Sequence, residues 1–172
     1  MPLSVAGADK FLNALRGADA TAFPNVYLGF LTADPTFTPE TLVQVYSEPL
    51  PINVDDNGYR RTLIGETVGT TKLLDEVEYD ASSPTTSTKR LTRNLTKSII
   101  TQECINEDWT PILNFALFST EEVGSGDMIC WGRLQDSTGT PITSAIAVTQ
   151  GKIPIFRRDC FELSFKIKEE TT

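Results

Sequence analysis

The sequence has no histidine, few cysteines and no long apolar run. Because histidine is the usual proton shuttle near neutral pH, its absence excludes Ser-His-Asp and Cys-His nucleophile systems and removes the most common metal ligand. A helix that crosses a membrane needs roughly 20 consecutive apolar residues, and no stretch approaches that length. We therefore expect a protein that is not an enzyme, with no catalytic residue, metal, cofactor or membrane contact.

The three cysteines, Cys104, Cys130 and Cys160, are widely separated and form no CxxC spacing. This pattern is not typical of a zinc site or a redox motif, so we predict buried, reduced thiols that pack as small apolar side chains. The residues that follow Met1 lack both the basic start and the apolar core of a secretory signal. Synthesis and folding in a cytosol are therefore expected.

Acidic residues outnumber basic ones, with 23 Asp and Glu against 15 Lys and Arg, which gives a formal net charge of −8. Binding to a nucleic-acid backbone depends on clustered Lys and Arg. The local basic cluster Lys89–Arg93, with Lys97 just after it, is better explained as the solvated face of a loop or strand. We predict no nucleic-acid partner.

A chain of 172 residues suggests one domain over residues 1–172. Apolar side chains at helical spacing predict one short amphipathic helix over residues 4–16. Residues 66–97 are the least regular part and are predicted to be a long polar insertion or loop region. The apolar side chains of the helix are Val5, Ala8, Phe11, Leu12 and Leu15.

Most of the remaining chain consists of short apolar runs between turns rich in Gly and Pro. This pattern predicts a mainly β fold, an antiparallel β-sandwich or jelly-roll-like domain. Residues 112–119 are apolar on both faces, as in a central strand, whereas the last strand alternates strictly from Phe161 onward. Residues 41–46 fit either a helical turn or a short strand. The predicted strands cover residues 25–32, 58–65, 98–102, 112–119, 128–134, 142–148, 151–156 and 160–168.

Four features could indicate a site, and each has a simpler interpretation. The glycines of residues 124–126 lack the lysine and following helix of a phosphate loop, so a hairpin turn is predicted. Residues 55–58 lack the ligand spacing of a calcium loop, and an Asx turn is predicted. Asn94 starts a glycosylation sequence that has no export signal with it. Trp109 and Trp131 lie in apolar runs, so core packing is favoured over sugar stacking.

Several short motifs follow one another in a defined order along the chain. They are a leading helix at 6–15, the run from Val26 to Thr32 directly before Asp34-Pro35, Glu48-Pro49 ahead of Gly58-Tyr59-Arg60-Arg61, Trp109 with the 114–118 strand, and Gly126-Asp127 leading to Trp131-Gly132. In this order, and in its amphipathic last strand, the chain resembles the tail-fibre-like family of small bacteriophage virion proteins.

The resemblance implies a non-enzymatic virion component of the tail, baseplate or fibre-attachment region, assembled in the host cytoplasm. A capsid decoration or head-fibre protein is one alternative, and a carbohydrate-binding module that recognises a host surface glycan is another. The expected partners are other virion proteins and copies of the chain itself, in a trimer or a ring. The candidate assembly contacts are Phe11, Leu12, Leu15, Tyr59, Arg60 and Arg61, together with the segments 36–54 and 66–97.

Overall fold

The computed structural model describes residues 12–13, 25–38, 43–66, 70–79, 89–126 and 128–166. These residues are mainly β, and their paired strands are antiparallel, which confirms the predicted fold class at this level. In the part of the chain described, no helix is long and apolar enough to span a membrane. The strands are β1 (Asn25–Leu31), β2 (Thr36–Thr38), β3 (Val43–Val45), β4 (Thr62–Glu66), β5 (Glu78–Tyr79), β6 (Lys89–Arg93), β7 (Ile99–Ile100), β8 (Trp109–Ile112), β9 (Asn114–Phe118), β10 (Met128–Arg133), β11 (Ile146–Val148), β12 (Ile155–Phe156) and β13 (Glu162–Lys166).

The chain divides into two compact units. The first unit consists of Met1–Val26, Ile64–Ile99 and Ile155–Thr172, and the second consists of Tyr27–Leu63 and Ile100–Pro154. The expectation of a single domain over residues 1–172 stays a prediction. Of the predicted helix 4–16, only residues 12–13 are described, and both have helical backbone. The helix itself lies outside the described residues.

In the second unit, the Tyr27–Leu31 part of β1 and the strands β9 and β10 are adjacent in the order β10-β9-β1. The predicted central strand is confirmed, because β9 lies between β1 and β10. Its Ala116, Leu117 and Phe118 side chains are buried. The predicted run 112–119 is divided, however, since Ile112 belongs to β8, which pairs with β11.

The first unit contains a three-stranded sheet with the order β13-β6-β5. The alternation predicted for the last strand is confirmed over residues 161–164, where Phe161 and Leu163 are buried and Glu162 and Ser164 are exposed. Residues 66–97, predicted as a long polar loop region, include β5 and β6. The apolar signal of β6 is one side chain, Leu91, which is buried.

The side chain of Asn94 organises the loops beside this sheet. Its amide NH₂ group donates to the carbonyl oxygens of Lys97 at 3.0 Å, Phe156 at 3.3 Å and Arg157 at 2.8 Å. Its side-chain oxygen accepts the backbone N–H of Phe161 at 2.9 Å. The side chain is fully buried, so in the folded chain it serves as a loop clamp and cannot accept a glycan.

Two predictions about individual residues need correction, and two are confirmed. Trp109 is buried as predicted, but Trp131 is 42% exposed because it lies on β10, an edge strand of the sheet in the order above. Of the three thiols, Cys104 is buried, Cys130 is partly buried and Cys160 is exposed, so burial was wrong for the last. The undecided segment 41–46 contains β3, a short strand paired with β2.

Candidate functional site

The structure places the six predicted assembly contacts in different environments. Phe11 and Leu15 lie outside the described residues, and Leu12 is buried in the first unit. In the second unit, Tyr59 and Arg61 are buried and only their neighbour Arg60 is exposed. Their role in assembly stays a prediction, but Tyr59 and Arg61 belong to a buried polar network that the sequence alone did not predict.

The centre of this network is a buried ion pair between Glu48 and Arg61. The guanidinium donates through Nη2 to Oε2 at 2.7 Å and through Nε to Oε1 at 2.9 Å, which is a bidentate arrangement. The two side chains are 1% and 0% exposed, respectively. Because removing charges from water is costly, such a pair persists only where further hydrogen bonds satisfy the remaining donors and acceptors.

The remaining atoms of the guanidinium bind the turn between β9 and β10. Nη1 donates to the carbonyl oxygens of Thr120 at 3.1 Å and Ser125 at 2.9 Å. The guanidinium carbon lies 3.6 Å from the centre of the Phe118 ring, a cation–π contact. Although burial opposes the charged form, the hydrogen bond and the charge of Glu48 keep the pKa of Arg61 raised.

Each oxygen of the Glu48 carboxylate accepts two hydrogen bonds from groups of the second unit. Besides its two bonds from Arg61, Oε1 accepts the hydroxyl of Tyr59 at 2.8 Å and Oε2 accepts the backbone N–H of Gly124 at 2.7 Å. The Tyr59 oxygen in turn accepts the N–H of Phe30 on β1 at 2.9 Å. All four donors to this carboxylate belong to the chain, and two of them come from the paired guanidinium. The network therefore holds strand, loop and turn together.

The predicted Asx turn is confirmed and sets the position of Tyr59. The N–H of Gly58 donates to Asp56 Oδ1 at 2.7 Å, and that of Tyr59 donates to Asn57 Oδ1 at 3.1 Å. Gly58 has a φ of +79°, and a Cβ there would lie 2.2 Å from a backbone oxygen, so glycine is required. This turn explains why β4 begins at Thr62 and not at residue 58, as the sequence predicted.

Two further hydrogen bonds of Asn57 hold this turn in place. Its side-chain NH₂ donates to the Pro49 carbonyl at 2.9 Å, and its own carbonyl accepts the indole N–H of Trp109 at 2.8 Å. The Trp109 ring meets the Tyr59 ring edge-on, with 5.2 Å between centroids. Satisfying the indole nitrogen in this way allows Trp109 to be fully buried.

The predicted hairpin turn at residues 124–126 is confirmed, since it joins the antiparallel strands β9 and β10. Gly124 and Gly126 have φ values of +77° and +73°. Beside this turn lies an open depression of about 580 Å³. It is lined by Val45, Tyr46, Ser47, Glu48, Leu50, Gly124, Ser125 and Gly126.

The network also explains a glycine on β1. A Cβ on Gly29 would lie 2.8 Å from both the Tyr59 oxygen and the Phe118 ring. In an open strand, alanine would be more favourable than glycine by roughly 0.5–1 kcal/mol. We expect Gly29→Ala to lower the free energy of unfolding by about 1–3 kcal/mol instead, because the network must shift. Denaturant titration measures whether the free energy of unfolding falls or rises, and a variant more stable than the native chain would contradict this packing.

The pKa of Tyr59 is raised well above its usual value of 10.0, by burial and by the negative charge of Glu48. A raised folded-state pKa stabilises the fold below the unfolded pKa, and this contribution is lost as the pH rises. The free energy of unfolding should therefore fall above about pH 10 in the native chain and fall less in Tyr59→Phe.

The thiol of Cys130 produces a separate effect in the same range. Burial raises its pKa from 9.0 to about 11, so its own contribution is lost between these values. The alkaline comparison should therefore be made in a Cys130→Ala background, with unfolding followed by denaturant titration up to about pH 11. Parallel pH curves with and without the Tyr59 hydroxyl would contradict the assignment.

The sequence offered two signals for the network. The resemblance singled out Glu48 and the segment with Arg61, although as motifs and not as a pair.

Within the described ranges, no group of three or more His, Cys, Asp or Glu side chains is arranged to hold a metal ion. Comparison of the chain with family models gave no match, and comparison with curated proteins gave none either.

Proposed function

We propose that the chain is a non-enzymatic structural component of a bacteriophage virion that acts by protein–protein assembly. The proposed location is the tail, baseplate or fibre-attachment region. A β-sandwich or jelly-roll-like arrangement of the antiparallel sheets is part of the same proposal. The ordered motifs that resemble tail-fibre-like virion proteins give the proposal its virion context.

The observation that carries the assembly role is the exposure of aliphatic side chains on the second unit. Ile52 is 73% exposed and Leu50 is 48% exposed, on the loop that leads from Glu48 to the Asx turn. Exposed apolar side chains that gather on one surface mark interaction sites. Among the described residues of this unit, the other exposed large apolar side chains are Val45, Ile100, Ile105, Trp131, Ile146 and Ile153.

The buried network supports the same role. The loop with Leu50 and Ile52 follows directly on Glu48, whose carboxylate is bound on both oxygens. A loop that is already held in one conformation loses less conformational entropy when a partner binds to it. The network therefore suits a rigid contact surface better than a site for chemistry.

The proposal is tested by the protein content of purified parent particles. We expect mass spectrometry of gradient-purified virions to find the chain at a constant copy number, retained through salt washes. A cytosolic protein of the same infection serves as the control for carry-over. A chain that washes away with the control would contradict a structural role in the particle.

A capsid decoration or head-fibre role is the second candidate, and the place of the chain in the particle separates it from the first. A carbohydrate-binding role is supported by one observation, the exposed ring of Trp131. It predicts that host surface glycans quench the fluorescence of the native chain and leave Trp131→Phe unchanged, since Trp109 is buried. Flat titrations of the native chain would remove this candidate.

A further inference from the structure

One surface of the second unit combines exposed aliphatic and acidic side chains. Leu50, Ile52 and Ile105 are exposed, and Asp55 and Glu103 on the same two loops are exposed as well. We call these five residues the acidic–aliphatic surface. Aliphatic side chains at the centre of a contact supply apolar area, and charged ones around them select the partner by complementarity.

The two loops that carry this surface are tied together by hydrogen bonds. The Glu107 carboxylate accepts the N–H groups of Ile52 and Asn53, the latter at 3.1 Å. From the other side, the Ile105 N–H donates to the Asn57 carbonyl at 3.0 Å. The surface is therefore formed before any partner binds, which favours association.

The first unit presents a short segment of the opposite charge. Ile155 is 52% exposed, and Arg157 and Arg158 that follow it are exposed too. We call these three residues the basic–aliphatic segment. Its backbone is held in place, because the Arg157 carbonyl accepts the Asn94 side chain at 2.8 Å and the Cys160 N–H at 3.1 Å.

We propose that the acidic–aliphatic surface of one copy binds the basic–aliphatic segment of a second copy of this chain. The carboxylates of Asp55 and Glu103 would meet the guanidinium groups of Arg157 or Arg158, and the isoleucines would pack against one another. Contact of the acidic surface with itself would instead bring like charges together. The overall charge of −8 opposes association between copies, so a contact that pairs opposite charges is favoured over one that does not. The inference deepens the proposed assembly role and rests on it.

Charge reversal tests this pairing in solution. We expect the native chain to self-associate in sedimentation velocity, and both Asp55→Arg/Glu103→Arg and Arg157→Glu/Arg158→Glu to associate at least about tenfold more weakly. An equal mixture of the two variants should recover association, because the reversed surface of one variant meets the reversed segment of the other and the native surface meets the native segment. The control Glu76→Arg/Glu121→Arg makes the same charge change as Asp55→Arg/Glu103→Arg, but at exposed positions elsewhere, and should associate as the native chain does.

Circular dichroism identifies any variant that fails to fold, and Ile52→Ser with Ile155→Ser then replaces it as the uncharged test of the same two surfaces. A monomeric native chain, variants that associate normally, or a mixture that stays monomeric would each overturn the pairing. A native chain that is monomeric yet constant in purified particles would overturn this inference alone. A self-associating chain that is absent from particles would overturn the proposed virion role alone.

Discussion

Replacement of Arg61 by methionine is expected to lower the free energy of unfolding by about 3–5 kcal/mol at neutral pH. The reason is the carboxylate that remains: Glu48 is 1% exposed and would be left buried without its cationic partner. The loss of the contacts to Thr120 and Ser125 adds to the effect. Denaturant titration of the purified variant measures the change.

Two further variants separate the ion pair from general disruption. The variant Glu48→Gln/Arg61→Met removes both charges, so we expect it to be less destabilised than the sum of the two single variants by about 1–3 kcal/mol. Arg60→Met, at the neighbouring position, is the matched control, because the Arg60–Asp56 ion pair is exposed. The control should change stability by at most about 1 kcal/mol. An Arg61 variant as mild as this control would contradict a buried pair.

Asn94→Asp is expected to have the second large effect, about 3–5 kcal/mol at neutral pH. The substitution keeps the shape of the side chain but replaces the NH₂ group that faces the carbonyls of Lys97, Phe156 and Arg157. A buried carboxylate oxygen would then face three carbonyl oxygens, and none of these four atoms could donate a hydrogen bond.

The pH dependence of this variant gives an independent check. Burial and the carbonyl dipoles would raise the pKa of the introduced carboxyl above about 3.9, so the destabilisation should grow as the pH rises from about 4. Asn106→Asp is the control, since the Asn106 side chain is exposed and donates to the Asp56 carbonyl at 2.7 Å. Equal effects at both positions, or none at Asn94, would contradict the clamp.

The parts of the fold that the sequence predicted are those with a local periodic signal. Phe161 and Leu163 alternate with polar residues, and the 114–118 run is apolar on both faces, so both strands were predictable. The Asx turn at residues 55–58 was predictable too, because Asp, Asn and Gly form it from neighbouring atoms. In each case the residues that make the structure lie close together in the sequence.

The buried network could not be predicted, because its contacts join distant residues. Glu48 and Arg61 are both charged and would ordinarily be placed on the surface. Contacts with the turn near Ser125 and the hydroxyl of Tyr59 help to make their burial possible. The exposure of Trp131 was missed for a similar reason, since it depends on the position of β10 at the edge of the sheet.

The most direct test of the assembly role is immunogold electron microscopy of parent particles with antibody against the purified chain. Label at the tail, the baseplate or the fibre attachment is the result that we predict. Label over the capsid would select the decoration or head-fibre alternative. Absence of label from both intact and opened particles, with antibody that binds the purified chain, would contradict a structural role in the virion.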